Sequence, residues 1–463
     1  MYSEFLRLCG FDQEEIEKEQ PRIEKAFQIW GITAEDAKRA EERIKKYFDL
    51  ELTGMTKIRR LWIKEFVDMT LAKIEGKKVI YSSLPTVSQL TAAMTNVSET
   101  VFCTVPEQVI MVVIGQFFGK LGPVLELAEK TYLPPGQAHC PFLQARIAGI
   151  LGGMVPAPDL LISVGIACEQ AGKTDEIIQY LKGTTVVHID SCNDERGDTW
   201  PYPDERRVKY LGQEIKNAAA VFQQVTGFEL TEEAINNGLS IWSRLNTVID
   251  KVQDLREKTD PMPMSHKDWH LVFETGTLST GRTVKEAMDA VVTLWKEIQE
   301  RVDQGKGVVK KGAPRVINSF GSTSDPAVTE VVEKAGLASI MGSVAPSARR
   351  GKRSSDMYKS IWDQIAAKNL NIALNASAAL TIDNLKKQCE GSKVDGLVIA
   401  ALVKCRSQAI HPRKAKDIIE KELGIPVLAL EFDNLDSREY TAEYLRSRVE
   451  PFAEMIKNNK KKL

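Results

Sequence analysis

The sequence lacks the features that would send it to a polymer or a membrane. Its 62 Lys and Arg stand against 63 Asp and Glu, for a net charge of −1. By composition, no charged surface is on offer to nucleic acid or anionic lipid. The terminal Lys-Asn-Asn-Lys-Lys-Lys run reads as a frayed, solvated tail. The greasiest stretch, Val109–Phe118, runs for about ten residues and contains Gln116, whereas a membrane span needs about twenty apolar residues. There is no basic segment followed by an apolar one at the N-terminus, so a cytoplasmic chain without a secretion signal is expected. Gly321-Ser-Thr-Ser324 is a hydroxyl-rich loop that could hold an anion but lacks a P-loop lysine, and Gly149, Gly152 and Gly153 do not form a dinucleotide fingerprint. No ATP site is expected. Seven cysteines are scattered, odd in number, and nowhere spaced Cys-x-x-Cys. That excludes a regular disulfide framework and the usual zinc-finger or ferredoxin spacing.

What is present is an alternation of short β-branched runs with helical stretches. The 463 residues exceed one core. Residues 1–75 read as an N-terminal helical extension, with a capping box at Thr33-Ala-Glu-Asp36 and a buried face of Leu61, Trp62, Phe66 and Met69. Residues 76–205 read as a first α/β domain, with strands at Lys78–Ser83, Val101–Val105, Leu160–Ile166 and Thr185–Asp190. A long polar loop, Asn193–Pro203, follows. Residues 206–310 form a helical connector broken at Gly227 and at Pro261–Pro263. Residues 311–463 give a second α/β domain, with strands at Arg315–Phe320, Ala338–Val344, Asp395–Val403 and Pro426–Phe432 and a closing helix. Strand–helix alternation predicts parallel sheets covered on both faces.

The cysteines carry the chemistry. Cys140 opens a helical segment, Cys168 lies just past a strand, and Cys405 follows the strand of the second domain. Loops at the carboxyl ends of parallel strands collect functional groups. Thiolates select zinc, copper(I) or iron–sulfur clusters, and three of them on a cubane would leave one iron open to substrate oxygen. The plain alternative is a set of ordinary buried thiols. Cys9 and Cys389 read as structural; Cys103 and Cys192, near strand ends, stay among the ligand candidates. His139, beside Cys140, could donate a proton to a leaving group or a hydrogen bond to sulfur. Glu107 could be a general base or a residue favoured by its helix dipole. Ser82 and Ser83 could face substrate or cap the next helix.

At these residues the sequence resembles the 2-hydroxyacyl-CoA dehydratase and benzoyl-CoA reductase family, in its cluster-bearing subunits. The likeness rests on Val79-Ile-Tyr-Ser-Ser-Leu-Pro85 with Val105-Pro-Glu-Gln108. It continues in Cys140 with Pro156-Ala-Pro-Asp159 and Cys168, then in Val394-Asp-Gly-Leu-Val-Ile399 leading to Cys405. It ends in Gly424-Ile-Pro-Val-Leu-Ala-Leu-Glu-Phe-Asp433 with Asp436, Arg438, Arg448 and Glu454. It implies two flavodoxin/Rossmann-like parallel-sheet domains and a 4Fe–4S cluster, or a double-cubane 8Fe–9S cluster, on Cys140, Cys168 and Cys405. It also implies a homologous partner subunit, an ATP-hydrolysing iron–sulfur activator and an acyl-CoA substrate. The activity expected is an oxygen-sensitive (R)-2-hydroxyacyl-CoA dehydratase working through a ketyl radical. The alternatives are a benzoyl-CoA-type or double-cubane reductase and, from another class, a cluster-free scaffold. Gln144 stands where the family often has a basic residue, Cys192 where proline is common, and the N-terminal extension is not general to the family.

Overall fold

The computed structural model describes residues 2–133, 139–166, 168–190, 202–278, 283–319, 324–341, 357–370 and 376–460. The chain begins with four helices, α1 (Ser3–Leu8), α2 (Gln13–Ile29), α3 (Ala34–Tyr47) and α4 (Thr53–Leu71). The capping box at the start of α3 is formed: Asp36 N–H donates to Thr33 Oγ1 at 3.2 Å, and Thr33 N–H donates to Asp36 Oδ2 at 2.9 Å. Helix α4 departs from the sequence expectation. It was expected to bury one face and is buried almost all round, Arg59, Lys64, Glu65 and Asp68 included. Its polar side chains tolerate this because each is paired. Lys64 meets Glu15 and Glu286, Asp68 meets Arg22, and Arg59 donates to the Leu8 carbonyl.

The first sheet holds β1 (Lys78–Ser82), β2 (Val101–Thr104), β3 (Leu160–Val164) and β4 (Thr185–Ile189). Between them lie α5 (Ser88–Thr95), α6 (Pro106–Ile110), a π-helical turn (Met111–Phe117), α7 (Leu121–Thr131), α8 (Pro141–Leu151) and α9 (Glu169–Lys182). The connector is α10 (Glu205–Thr226), α11 (Glu232–Lys258), α12 (His266–Thr275) and α13 (Val284–Asp303). Gly227, at φ +81°, ends α10 in the left-handed conformation that glycine adopts without steric cost. The second sheet holds β5 (Arg315–Ser319), β6 (Ala338–Met341), β7 (Gly396–Ala401) and β8 (Val427–Glu431). Its helices are α14 (Ala327–Lys334), α15 (Ile361–Leu370), α16 (Ala378–Ser392), α17 (Arg406–Ala409), α18 (Pro412–Leu423) and the closing α19 (Ala442–Lys460).

Both sheets are wholly parallel and share one strand order, β2-β1-β3-β4 and β6-β5-β7-β8. The order reverses direction beside β1 and beside β5, the switch points where such sheets open a crevice at their carboxyl ends. Alternating strand residues feed separate cores: Val79, Tyr81 and Leu161 join the N-terminal helices, while Ile80, Leu160 and Ile162 face α10 and α15. The extension therefore packs as part of the core beneath the first sheet. Gly54 shows how closely: a Cβ there would stand 2.5 Å from the backbone of Leu294 on α13.

Candidate functional site

Cys140, Cys168 and Cys405 each occupy the N-cap of a helix, α8, α9 and α17. Each has an extended backbone, and each is half-buried. Pro141 follows Cys140 at the first helical position, where its fixed φ suits the helix. Helix N-termini favour negative charge, which at Cys140 and Cys168 opposes the cost of burial. Burial pushes the Cys140 thiol well up, with Asp433, Cys405 and Cys168 adding to it while the Phe142 amide pulls it down. Burial also raises Cys168; the amides of Ala171 and Gln170 lower it, and Cys405 raises it again. The three thiols therefore lie within electrostatic reach of one another, and Asp433, just past the end of β8, lies within that reach of Cys140. Burial pushes Asp433 itself up to about 6, with the Leu435 amide and Lys404 pulling the other way.

The remaining described cysteines are elsewhere. Cys9, Cys103 and Cys389 are fully buried, and burial pushes Cys9 and Cys389 up to about 12. Cys192, most of Asn193–Pro203 and residues 321–323 of the hydroxyl loop lie outside the described residues. Among the described residues no three His, Cys, Asp or Glu gather tightly enough for a single metal ion. A tetrahedral zinc would draw its sulfurs to about 2.3 Å from one centre. A cubane distributes its thiolates over separate irons, so its ligands need not gather around one centre.

His139 lies with Leu133, Glu169, Lys173 and Ile177 along a cleft of about 200 Å³, and burial lowers its imidazole below the ordinary range. The serines are engaged with backbone. Ser82 Oγ donates to the Leu84 carbonyl at 3.4 Å, and Ser83 Oγ accepts from Val164 N–H at 2.8 Å. Leu84 sits at φ +63°, a left-handed conformation that costs a branched residue energy. Its N–H donates to Glu107 Oε1 at 2.7 Å. Glu107 is fully buried and paired with Arg146 Nη1 at 2.9 Å, and Arg146 Nη2 meets Asp175 at 2.7 Å. Burial pushes both carboxyls up, and Arg146 only partly offsets this. Burial pulls the guanidinium down, but Asp175 and Glu107 outweigh it and hold it up.

Arg146 and Asp175 are the groups that sequence reasoning missed. Arg146 joins α8 to α9, the helices headed by Cys140 and Cys168, and also donates to the Ala171 carbonyl at 3.2 Å. A signal existed: Arg146 is the lone charge in an otherwise apolar helix, which marks a buried, paired cation. Asp175, in a mixed-charge helix, gives none. Among the described residues no helix is long and apolar enough to cross a membrane.

Residues 103–456, well over half of the chain, match the family described as 2-hydroxyglutaryl-CoA dehydratase, D-component. The chain is also similar to the (R)-2-hydroxyisocaproyl-CoA dehydratase alpha subunit of Clostridioides difficile. That match is 20% identical over 310 residues, covering 66% of this chain and 73% of the relative. The (R)-2-hydroxyglutaryl-CoA dehydratase subunit alpha of Acidaminococcus fermentans is 22% identical over 314 residues, covering 66% of this chain and 62% of the relative. The (R)-phenyllactyl-CoA dehydratase alpha subunit of Clostridium sporogenes is 21% identical over 318 residues, covering 65% and 72%. The family match includes Glu107, His139 and the three half-buried cysteines and leaves Ser82 and Ser83 outside it. The chain belongs to the 2-hydroxyglutaryl-CoA dehydratase D-component family.

Proposed function

We propose that this chain is the iron–sulfur subunit of a reductively activated (R)-2-hydroxyacyl-CoA dehydratase, with a 4Fe–4S cluster held by Cys140, Cys168 and Cys405. The observation that carries the reading is the set of three half-buried thiols, distant in sequence, each at a helix N-terminus and each within electrostatic reach of the others. When bound, such a cluster supplies an open iron for a substrate oxygen and a single low-potential electron for the thioester carbonyl.

The chain's own residues supply the setting. The Phe142, Gln170 and Ala171 amides offset negative charge on sulfur. His139 borders the cleft beside Cys140; burial lowers its imidazole, so it would offer a hydrogen bond to a cluster sulfur from its N–H and could give a proton to a departing hydroxyl only from its protonated form. Glu107 and Ser83 act at one remove, holding the β1–α5 turn and the end of β3. Ser82, turned to the Leu84 carbonyl, supports the same turn. The low-potential electron calls for a separate ATP-hydrolysing iron–sulfur activator. The alpha-subunit naming of the relatives supports a homologous partner subunit, and the setting is cytoplasmic.

The test is anaerobic purification with iron and sulfide analysis and paramagnetic resonance. About four irons per chain are expected for one cubane, and roughly twice that would favour the double-cubane branch. Cys140→Ala, Cys168→Ala and Cys405→Ala should each lose the cluster, while Cys9→Ala and Cys389→Ala keep it. Full iron retention in any of the first three overturns the ligand set. Failure of the loaded protein, with activator and partner, to dehydrate any (R)-2-hydroxyacyl-CoA overturns the reaction.

A further inference from the structure

Arg146 explains how Cys140 is held relative to Cys168, since it ties their two helices within the first sheet unit. Nothing in that contact holds Cys405, which comes from the second sheet. A different chain of contacts does. Lys404, the residue before Cys405, places Nζ 3.3 Å from Asp436 Oδ2 and 3.0 Å from Glu439 Oε1. Asp436 is fully buried and accepts from Arg438 Nε at 2.9 Å and Nη2 at 2.7 Å. Arg438 then turns to Glu129 on α7, with Nη1 3.1 Å from Oε2 and Nη2 2.7 Å from Oε1. Glu129 Oε1 also accepts from Gln144 Nε2 at 3.4 Å. The backbone N–H of Gln144 donates to the Cys140 carbonyl at 3.1 Å.

The path therefore starts beside Cys405, crosses from the second sheet unit to the first, and ends in the turn that Cys140 caps. A loose surface ion pair would be worth little. Here one guanidinium grips two carboxylates in fork geometry; Asp436 is out of water while the Glu129 end is partly exposed, and the paired forks fix orientation as well as energy. Gln144 is neutral, so its contact leaves the charge of Glu129 to Arg438; a cation there would compete for the same carboxylate.

We propose that Arg438 is a positioning residue which, by joining Asp436 to Glu129, fixes the separation of Cys405 from Cys140. The inference rests on the ligand assignment above, but its test does not need the cluster. Iron-free full-length chain is treated with dibromobimane, a short reagent that fluoresces when it bridges two thiols, and the bridged peptides are mapped. In the wild type, Cys140–Cys405 and Cys140–Cys168 bridges both form. In Arg438→Met the Cys140–Cys405 bridge should form about tenfold more slowly, because intramolecular rates fall steeply with misplacement. The Cys140–Cys168 bridge should be unchanged, since Arg146 still holds it. Glu129→Gln, a milder change, should give an intermediate loss, and Arg438→Lys only partial recovery.

Equal slowing of both bridges would show general loosening and overturn the proposal. So would no slowing of either, or no Cys140–Cys405 bridge in the wild type. A wild type that bridges as expected yet takes up no iron leaves Arg438 as a positioning residue and sinks the ligand reading instead.

Discussion

Replacing Arg146 with Met tests the buried triad. Arg146, Glu107 and Asp175 have fully buried side chains, and methionine keeps the apolar stem while removing the charge. Two carboxyls are then left in the interior without their cation. Breaking a buried pair in this way costs about 3–5 kcal/mol. The sign of the pH dependence follows from the directions of the shifts. Glu107 and Asp175 are both raised by burial, so the folded chain holds their protons more tightly than the unfolded chain does. Stability from this source is present below the ordinary carboxylate range and is lost as pH rises through the folded values. Without Arg146 those values move higher still, and the loss extends towards neutrality. Urea unfolding followed by circular dichroism should show a deficit of about 3–5 kcal/mol at about pH 8 and only about 1–2 kcal/mol at about pH 5.5, where protonation relieves the stranded charges. Adding Asp175→Asn to Arg146→Met should recover part of the deficit at the higher pH. A deficit equal at both pH values, or one below about 1 kcal/mol throughout, would refute the reasoning.

Two further outcomes concern the N-terminal helices. Gly54→Ala drives a methyl to within 2.5 Å of the Leu294 backbone, and opening the α4–α13 contact should cost about 1–3 kcal/mol, read as a lower urea midpoint. Glu65→Ala removes the carboxylate that accepts from Thr104 Oγ1 at 2.6 Å at the end of β2. A loss of about 1–3 kcal/mol is expected because a buried hydroxyl loses its partner; an unchanged midpoint would show that α4 does not support that strand.

Much of the fold is legible in the sequence because strand and helix periods are local properties. The run at Leu160 and the run at Gly396 are short, apolar and β-branched, and they fold as the parallel strands expected of them. The Thr33 box is legible because its two bonds close within four residues. The burial of α4 is not, since Arg59, Lys64 and Asp68 look like a solvated face until distant partners are known. The same limit applies to Glu107. Its carboxylate reads as a general base or as a charge favoured by the helix dipole, and only the folded chain brings Arg146 against it. Glu129 and Arg438, far apart in sequence and individually ordinary, show no sign of each other. What can be read at the cysteines is position, each just before a helix; their mutual approach depends on how the two sheets are set.

The shared strand order shows which parts of the fold carry the three thiols. In each sheet the third strand in sequence, β3 or β7, adjoins the switch point, and the first cysteine after it caps the next helix. Cys168 and Cys405 are thus counterparts in two units of one design. Cys140 has no such counterpart: it enters from the helix before β3, while Cys389, on the helix before β7, is buried in the core of the second sheet. Cys9 and Cys103 are likewise committed to cores. Among the described residues no fourth thiol is placed beside the three, and the nearby group from β8 is the Asp433 carboxyl. On the ligand set proposed above, three sulfurs would leave one iron of a cubane open, which would suit binding a reactant as well as passing it an electron.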